Sequence, residues 1–170
     1  MAAARRVPLW PEIGQAAGFD PSVSIFAILT YRMSAEAQRA ICRYLKVRRR
    51  TEDMLDRLQQ IRGQMEALSV PLKPSQVDTI LDRASDPVLL AAWAAAPTAH
   101  ARRHVRDYAL RLRWIRPVTD GEALKKRGLS PGPHFGEILG RLREAWLDGE
   151  VSTPAEEQAL LDHLLSEVLI

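Results

Sequence analysis

Apolar residues recur at intervals of three or four positions along almost the whole chain, which is the spacing of one face of an α-helix. No two alternating apolar and polar runs are separated by the short turn that marks a β-hairpin. Asp20-Pro21, Asp86-Pro87 and Thr153-Pro154 are typical helix starts, because proline is favoured at the first helical position. The sequence therefore predicts an all-α fold.

Two segments are too apolar to lie on a surface. Residues 23–33 include Ile25, Phe26, Ile28 and Leu29 and leave little polar face, so we expect a buried helix there. Residues 88–96 are almost entirely apolar and predict a helix at the centre of the core.

Helix boundaries are indicated by capping residues. Ser34 is expected to cap a second helix that ends near Val47, and Thr51 is expected to begin the third. After Pro97, a longer helix is expected to reach about Ile115.

The prolines and glycines of the last third predict a separate subdomain. A capping box at Thr119 and Glu122 opens a short helix that ends at Gly128, and Gly149 separates the last two helices. We therefore predict a partly disordered segment at residues 1–20, a compact multi-helix body at 21–117, and a smaller helical tail at 118–170 with a tight Pro131-Gly132-Pro133 turn.

Charge is distributed unevenly. The 170-residue chain has 24 Lys and Arg and 21 Asp and Glu, a net charge of +3. All 24 basic residues and 14 of the acidic ones precede Glu144, while the segment from Glu144 to Ile170 has the remaining seven acidic residues and no Lys or Arg. The two parts therefore carry +10 and −7, which indicates a molecule with one basic and one acidic region.

Several classes of protein are excluded. No apolar run approaches the ~20 residues that a transmembrane helix needs, so no membrane partner is expected. Residues 1–11 lack the apolar stretch of a secretory signal, so a cytoplasmic location is expected. The single cysteine, Cys42, is interpreted as a small core residue.

Catalytic and metal motifs are absent from the sequence. It contains no Asp-x-Asp pair, no Gly-x-x-x-x-Gly-Lys-Ser/Thr phosphate loop, no Gly-x-Ser-x-Gly elbow and no His-Glu-x-x-His. His100 and His104 are four residues apart, but no third metal ligand is evident. We expect no catalytic residue, metal or cofactor in this chain.

Two rows of basic residues are candidates for binding a nucleic-acid backbone. Rows of arginine attract phosphates without regard to base sequence, although solvated helices also carry arginine for solubility. Each row has the spacing of one helix face: Arg39, Arg43, Lys46 and Arg50 in the first, and Arg102, Arg106 and Arg113, with Arg103 and Arg116 at the margins, in the second.

A third candidate lies where glycines follow a group of cations. Lys125 and Lys126 precede a turn that contains Gly132, and the following helix offers free amides that could bind a phosphate. The alternative is a purely structural turn, because Pro131 and Pro133 have no N–H to donate.

The same region carries a resemblance to a known family. In residue type and order, residues 118–160 resemble the C-terminal tail of bacterial CCA-adding tRNA nucleotidyltransferases and related poly(A) polymerases. Residues 74–75 and the Tyr108-x-x-x-Leu112-Arg113 stretch resemble the adjoining body, notably in the A-adding branch. The matching segments are Gly121-Glu122-Ala123-Leu124, Gly128-Leu129-Ser130-Pro131-Gly132-Pro133, Gly136-Glu137-Ile138-Leu139 and Ala145-Trp146-Leu147-Asp148-Gly149-Glu150, with Glu156-Glu157. Ala123 stands where the family often has Asp.

The resemblance implies that this chain is the RNA-binding body and tail of such an enzyme, without its catalytic head. The head would hold Mg²⁺ and ATP or CTP, and the partners would be tRNA or another RNA and a head in the same or another chain. Two other hypotheses remain open: a helical scaffold that supports the head or forms a homodimer, and a DNA-binding helix-hairpin-helix unit.

Overall fold

The structure is a computed structural model that describes residues 21–129 and 132–168. Within these ranges it contains nine α-helices, two short 310 turns and no strand, so the prediction of an all-α fold is confirmed. The prediction of disorder at residues 1–20 falls outside the described residues.

The helices follow one another through short connections. The 310 turns lie at Ala67–Ser69 and Leu112–Trp114. The α-helices are α1 (Pro21–Thr30), α2 (Ala35–Tyr44), α3 (Arg49–Gly63), α4 (Pro74–Leu81), α5 (Asp86–Ala95), α6 (Ala99–Leu110), α7 (Gly121–Lys126), α8 (Pro133–Asp148) and α9 (Pro154–Val168).

The described chain divides into two compact units. Unit 1 contains the residues up to Leu72 together with Val77–Leu110, and unit 2 contains Lys73–Gln76 and the residues from Arg111 onward. The sequence placed the start of the tail at residue 118, whereas the chain joins unit 2 at Arg111, just after α6 ends.

In unit 1, helix α5 is central, as its composition predicted. Its side chains Val88, Leu89, Leu90, Ala91 and Ala92 are buried, and α1, α3 and α6 all pack against it. Burying each large aliphatic side chain contributes roughly 1.5–3 kcal/mol, so this helix supplies much of the driving force for folding.

Helix α1 differs from the prediction of a fully buried helix. Its buried residues are Ser24, Ala27 and Thr30, whereas Ile25, Ile28 and Leu29 are exposed, Leu29 to 73%. A small residue at the contact lets the backbones of α1 and α5 approach closely, and the bulkier side chains then point away. An almost wholly apolar segment does not reveal which of its sides meets the core.

Unit 2 is built around the last three helices. Its core consists of Leu124 from α7, Ile138 and Leu142 from α8, and Leu161 and Leu165 from α9. Helices α8 and α9 pack against each other through these apolar side chains, which recur at the spacing of one helix face.

The helix ends are mostly where the capping residues placed them. Ser34 caps α2, Gly149 ends α8 with φ of 75°, and Thr153 and Glu156 form a capping box at the predicted start of α9. The start of α7 is an exception, because Asp120 rather than Thr119 accepts the hydrogen bond from the Ala123 amide, at 2.9 Å.

No helix in the described ranges is both long enough and apolar enough to cross a membrane.

Candidate nucleic-acid interface

The first predicted row of cations is divided between two helices. Helix α2 ends at Tyr44, and Lys46 has φ of 52°, a left-handed conformation that a continuing helix does not allow. Arg50 lies in the first turn of α3. The prediction that Arg39, Arg43, Lys46 and Arg50 share one helix face is therefore wrong, although all four side chains are exposed.

Acidic residues also oppose this row. Arg39 lies 3.9 Å from the Asp56 carboxylate, and α2 and α3 enclose a cavity of about 300 Å³ that Glu52 and Asp53 also line. Nearby carboxylates reduce the attraction of these arginines for a phosphate. The first row is therefore a region of mixed charge rather than a basic surface.

Cys42 is one of the residues that line this cavity and is buried, as predicted for a core residue. Burial, with the negative charges of Glu52 and Asp56, raises the pKa of its thiol. A raised pKa keeps the thiol protonated and unreactive, which fits a packing role.

The second row is largely retained. Arg102, Arg103 and Arg106 are exposed on α6, while Val105 and Tyr108 on its other side are buried. The Arg102 guanidinium lies 5.9 Å from the centre of the Trp93 ring, which holds its side chain along α5. Arg103 and Arg106 form no ion pair with any residue in the described ranges, so their charges are available to a ligand.

Arg113 is not part of this helix face. Helix α6 ends at Leu110, and Arg113 lies in the 310 turn that follows, half-buried in unit 2. Its guanidinium lies 4.6 Å from the centre of the Trp114 ring. The helix predicted from the sequence was too long, because Leu112 and Ile115 continue the apolar spacing through a tighter turn.

The third candidate is partly neutralised by an ion pair. Lys125 lies 2.5 Å from the Glu122 carboxylate, whereas Lys126 is exposed and forms no ion pair with another described residue. Gly132 is the N-cap of α8 with extended backbone, φ of −176°. Ser130 and Pro131 fall outside the described residues, and with them the predicted turn.

The two histidines do not form a metal site in this structure. Their ring centres are 6.2 Å apart, and Nδ1 of His104 lies 3.0 Å from the Leu68 carbonyl oxygen. In the part of the chain that the structure describes, no three His, Cys, Asp or Glu side chains are grouped to hold a metal ion.

Our sequence reasoning missed two features of unit 2. Trp114 is 65% exposed, whereas Trp93 and Trp146 are half-buried. The interleaving of arginines with an aromatic residue at 111–116 is a signal that could have identified it. The other feature is Glu157, whose carboxylate is buried and bonded to three N–H groups.

No protein-family model matches the chain. An A-adding tRNA nucleotidyltransferase of Geobacter sulfurreducens is 37% identical to it over 76 residues, which are 45% of this chain and 9% of that protein. A structure of the Thermotoga maritima CCA-adding enzyme complexed with tRNA matches 98% of this chain with a TM-score of 0.73 and 17% identity. The chain covers 40% of that enzyme's length.

These findings confirm the resemblance that the sequence suggested. Over 76 residues the chain is similar in sequence to an A-adding tRNA nucleotidyltransferase, and its all-helical fold matches part of a CCA-adding enzyme.

Proposed function

We propose that this chain is the RNA-binding helical region of a tRNA nucleotidyltransferase, and that tRNA is its RNA partner. One observation carries the proposal: Arg102, Arg103 and Arg106 form an exposed basic face on α6, in which Arg103 and Arg106 have no ion-pair partner among the described residues. We refer to these three side chains as the α6 arginine face. The related enzymes support tRNA rather than DNA as the ligand, since one is named for tRNA and the other was solved with it.

The α6 arginine face suits a phosphate backbone. Counted at 100° per residue, Arg102 and Arg106 are about 40° apart around the helix and Arg103 is about 60° further on, so all three project to the same side. Their guanidinium groups can each donate two hydrogen bonds to phosphate oxygens, which gives attraction without base recognition. Sequence selection would depend on other parts of the enzyme.

We assign the nucleotidyl transfer reaction to a different part of the enzyme. We propose that Mg²⁺ and ATP or CTP bind to a catalytic head in the same or another chain, because the carboxylate pair that holds such ions has no counterpart in this sequence. A cytoplasmic location is consistent with an enzyme that acts on tRNA.

The experiment is to replace Arg102, Arg103 and Arg106 together by Gln and to measure tRNA affinity over a series of salt concentrations. Each lost phosphate contact should reduce the slope of log affinity against log salt by roughly 0.7 to 0.9. The slope of the triple variant should therefore be smaller than that of the parent by about two to three. Affinity near physiological salt should fall roughly tenfold or more, since each contact is worth a few-fold there.

A control with the same change in net charge is available in Arg83, Arg127 and Arg141. These arginines pair with Asp82, Asp162 and Glu150, so replacing all three by Gln should leave the salt slope nearly unchanged. Equal losses of tRNA affinity in both triple variants would mean that binding depends on net charge alone. No loss in the α6 variant would refute the α6 arginine face as the RNA-binding surface.

A scaffold or dimerisation role is the second candidate, and one observation favours it. Ile25 and Leu29, four residues apart on α1, are 50% and 73% exposed, and adjacent exposed apolar side chains are typical of a surface that contacts another protein. Sedimentation of the parent and of an Ile25→Lys, Leu29→Lys variant distinguishes the roles. Self-association that this variant abolishes, with unchanged RNA affinity, would support the scaffold.

A further inference from the structure

We propose that Trp114 is a stacking platform for an unpaired nucleobase, and that Arg116 binds the phosphate beside that base. This inference rests on the proposed RNA-binding function and adds a second type of contact to it. All the residues concerned, Arg113 to Val118, belong to unit 2.

The first observation is the exposure of the Trp114 ring. A tryptophan that is 65% exposed leaves a large apolar surface in water. Tryptophan is the side chain whose flat aromatic surface best matches a nucleobase, and stacking accepts any base because every base has a π-face.

The second observation is that the ring is held in place. The Arg113 guanidinium lies 4.6 Å from the ring centre, within the range of a cation–π contact. The backbone is fixed by hydrogen bonds from the Trp114 and Ile115 amides to the carbonyls of Arg111 and Leu112, at 3.1 and 3.0 Å. A platform that is already ordered loses little conformational entropy when a ligand binds.

The third observation is a cation fixed two residues away. Nη1 of Arg116 donates to the carbonyl oxygens of Arg113 and Ile115, at 2.8 and 2.9 Å. The Arg116 side chain is exposed, and its Nη2 and Nε groups remain to donate to a phosphate. No acidic residue occurs between Arg111 and Arg116, so this short segment carries three positive charges.

An aromatic platform next to a backbone cation is the arrangement that binds single-stranded nucleic acid. A base paired within a duplex has both faces covered by its neighbours and is not free to stack on Trp114. The arrangement therefore predicts a preference for RNA with unpaired bases over a blunt duplex.

The test compares the affinity of the full chain for a short unstructured RNA and for a blunt RNA duplex of the same sequence. Trp114→Ala should lower affinity for the single strand by about tenfold, because removing one stacking contact commonly costs between several-fold and a hundredfold. The salt slope should stay the same, since no charge is lost. Trp114→Phe should retain most of the affinity, and duplex binding should change little.

Two further variants separate the parts of the proposal. Arg116→Gln should reduce the salt slope for the single strand by about 0.7, the value for one phosphate contact. Val118→Ala removes a comparably exposed apolar side chain that cannot stack, and it should have no effect on RNA binding.

Unchanged single-strand affinity of both Trp114 variants would overturn this inference and leave the α6 arginine face untouched. Equal losses for Trp114→Ala and Val118→Ala would also overturn it, because they would indicate a general apolar contact, as with a protein. A parent that binds no RNA would overturn the proposed function and this inference together.

Discussion

Glu157 connects three parts of unit 2 through one carboxylate. It accepts hydrogen bonds from the Val118 and Thr119 amides at 2.8 and 2.6 Å and from the Trp146 indole at 2.5 Å, and only 1% of its surface is exposed. These groups lie before α7 and in α8, so the carboxylate fixes where the chain enters α7. Burial by itself raises the pKa of Glu157, but the hydrogen bonds outweigh it and the pKa is lowered overall.

Replacing Glu157 by Gln should destabilise the protein by about 2–3 kcal/mol at neutral pH. The amide has the same size, but its NH2 group faces N–H donors that then lack an acceptor. Urea unfolding of the parent and the variant measures the difference in the free energy of unfolding. Glu156→Gln is the control, since that exposed side chain only caps the start of α9 and its loss should cost much less.

The difference between the parent and Glu157→Gln should also depend on pH. Because the pKa is lower in the folded state, the carboxylate stabilises the fold fully above the ordinary glutamate pKa of about 4.3. This contribution disappears as the pH falls through the lower pKa of the folded state. Unfolding curves at several acidic pH values should therefore converge for the two proteins, and a constant difference down to the lowest pH would contradict this assignment.

Glu156-Glu157 belongs to the segments that resemble the family, but nothing in the sequence indicates that only the second of these two carboxylates is buried. Its partners at 118 and 119 are nearly forty residues away, and burial at that distance depends on how α8 and α9 pack. Glu156, in contrast, was predictable, because a capping box involves only its immediate neighbours.

At the scale of helices, Gly140 within α8 and Gly149 just after its end should respond oppositely to the same substitution. Gly149→Ala should destabilise the protein by about 1 kcal/mol, because φ of 75° strains a residue with a Cβ atom. Gly140→Ala should stabilise it by about 0.5–1 kcal/mol, because Gly140 is an exposed helical residue with no atom within 4 Å of the added Cβ. Thermal unfolding of both variants measures the signs, and two changes of the same sign would contradict the assigned backbone conformations.

Local signals therefore predicted most of the helices but not all of their ends. The apolar stripe of α3, with Leu55, Leu58 and Ile61, is buried as its spacing indicated. Helix α2 stops early because Lys46 adopts a left-handed conformation, which no residue type in the sequence required. Because α2 ends early, the residues of the first row of cations do not share one helix face. Arg102, Arg103 and Arg106 do share one, because they lie well inside α6.

At the scale of the whole molecule, the carboxylates of the acidic C-terminal region are less available to a ligand than the region's formal charge of −7 suggests. Several of its carboxylates bind groups of the same chain: Asp148 accepts from the backbone amide and hydroxyl of Ser75, at 2.8 and 2.7 Å, and Glu150 pairs with Arg141 at 2.5 Å. Asp162 pairs with Arg127. These acids therefore stabilise unit 2 as well as contributing negative charge.

Helix α9 is nevertheless unsuited to binding RNA, because its residues include no Lys or Arg while several acids remain on it. The basic α6 and the acidic α9 should therefore differ in their contact with tRNA, most clearly at low salt. A photo-crosslinking amino acid placed at Leu110 or at Ala159 tests this, since both side chains are exposed and neither belongs to the core. Leu110 lies one turn from Arg106, whereas Ala159 lies three residues from Glu156 and from Asp162.

Crosslinking to tRNA should be strong at residue 110 and close to background at residue 159, and the signal at residue 110 should weaken as salt is raised. A tRNA-binding measurement on each labelled protein verifies that the probe itself has not altered affinity. Comparable crosslinking at the two positions would contradict the assignment, since it would mean that RNA contacts a helix without cations. Strong crosslinking at residue 159 alone would place the RNA on unit 2 by contacts other than phosphate attraction.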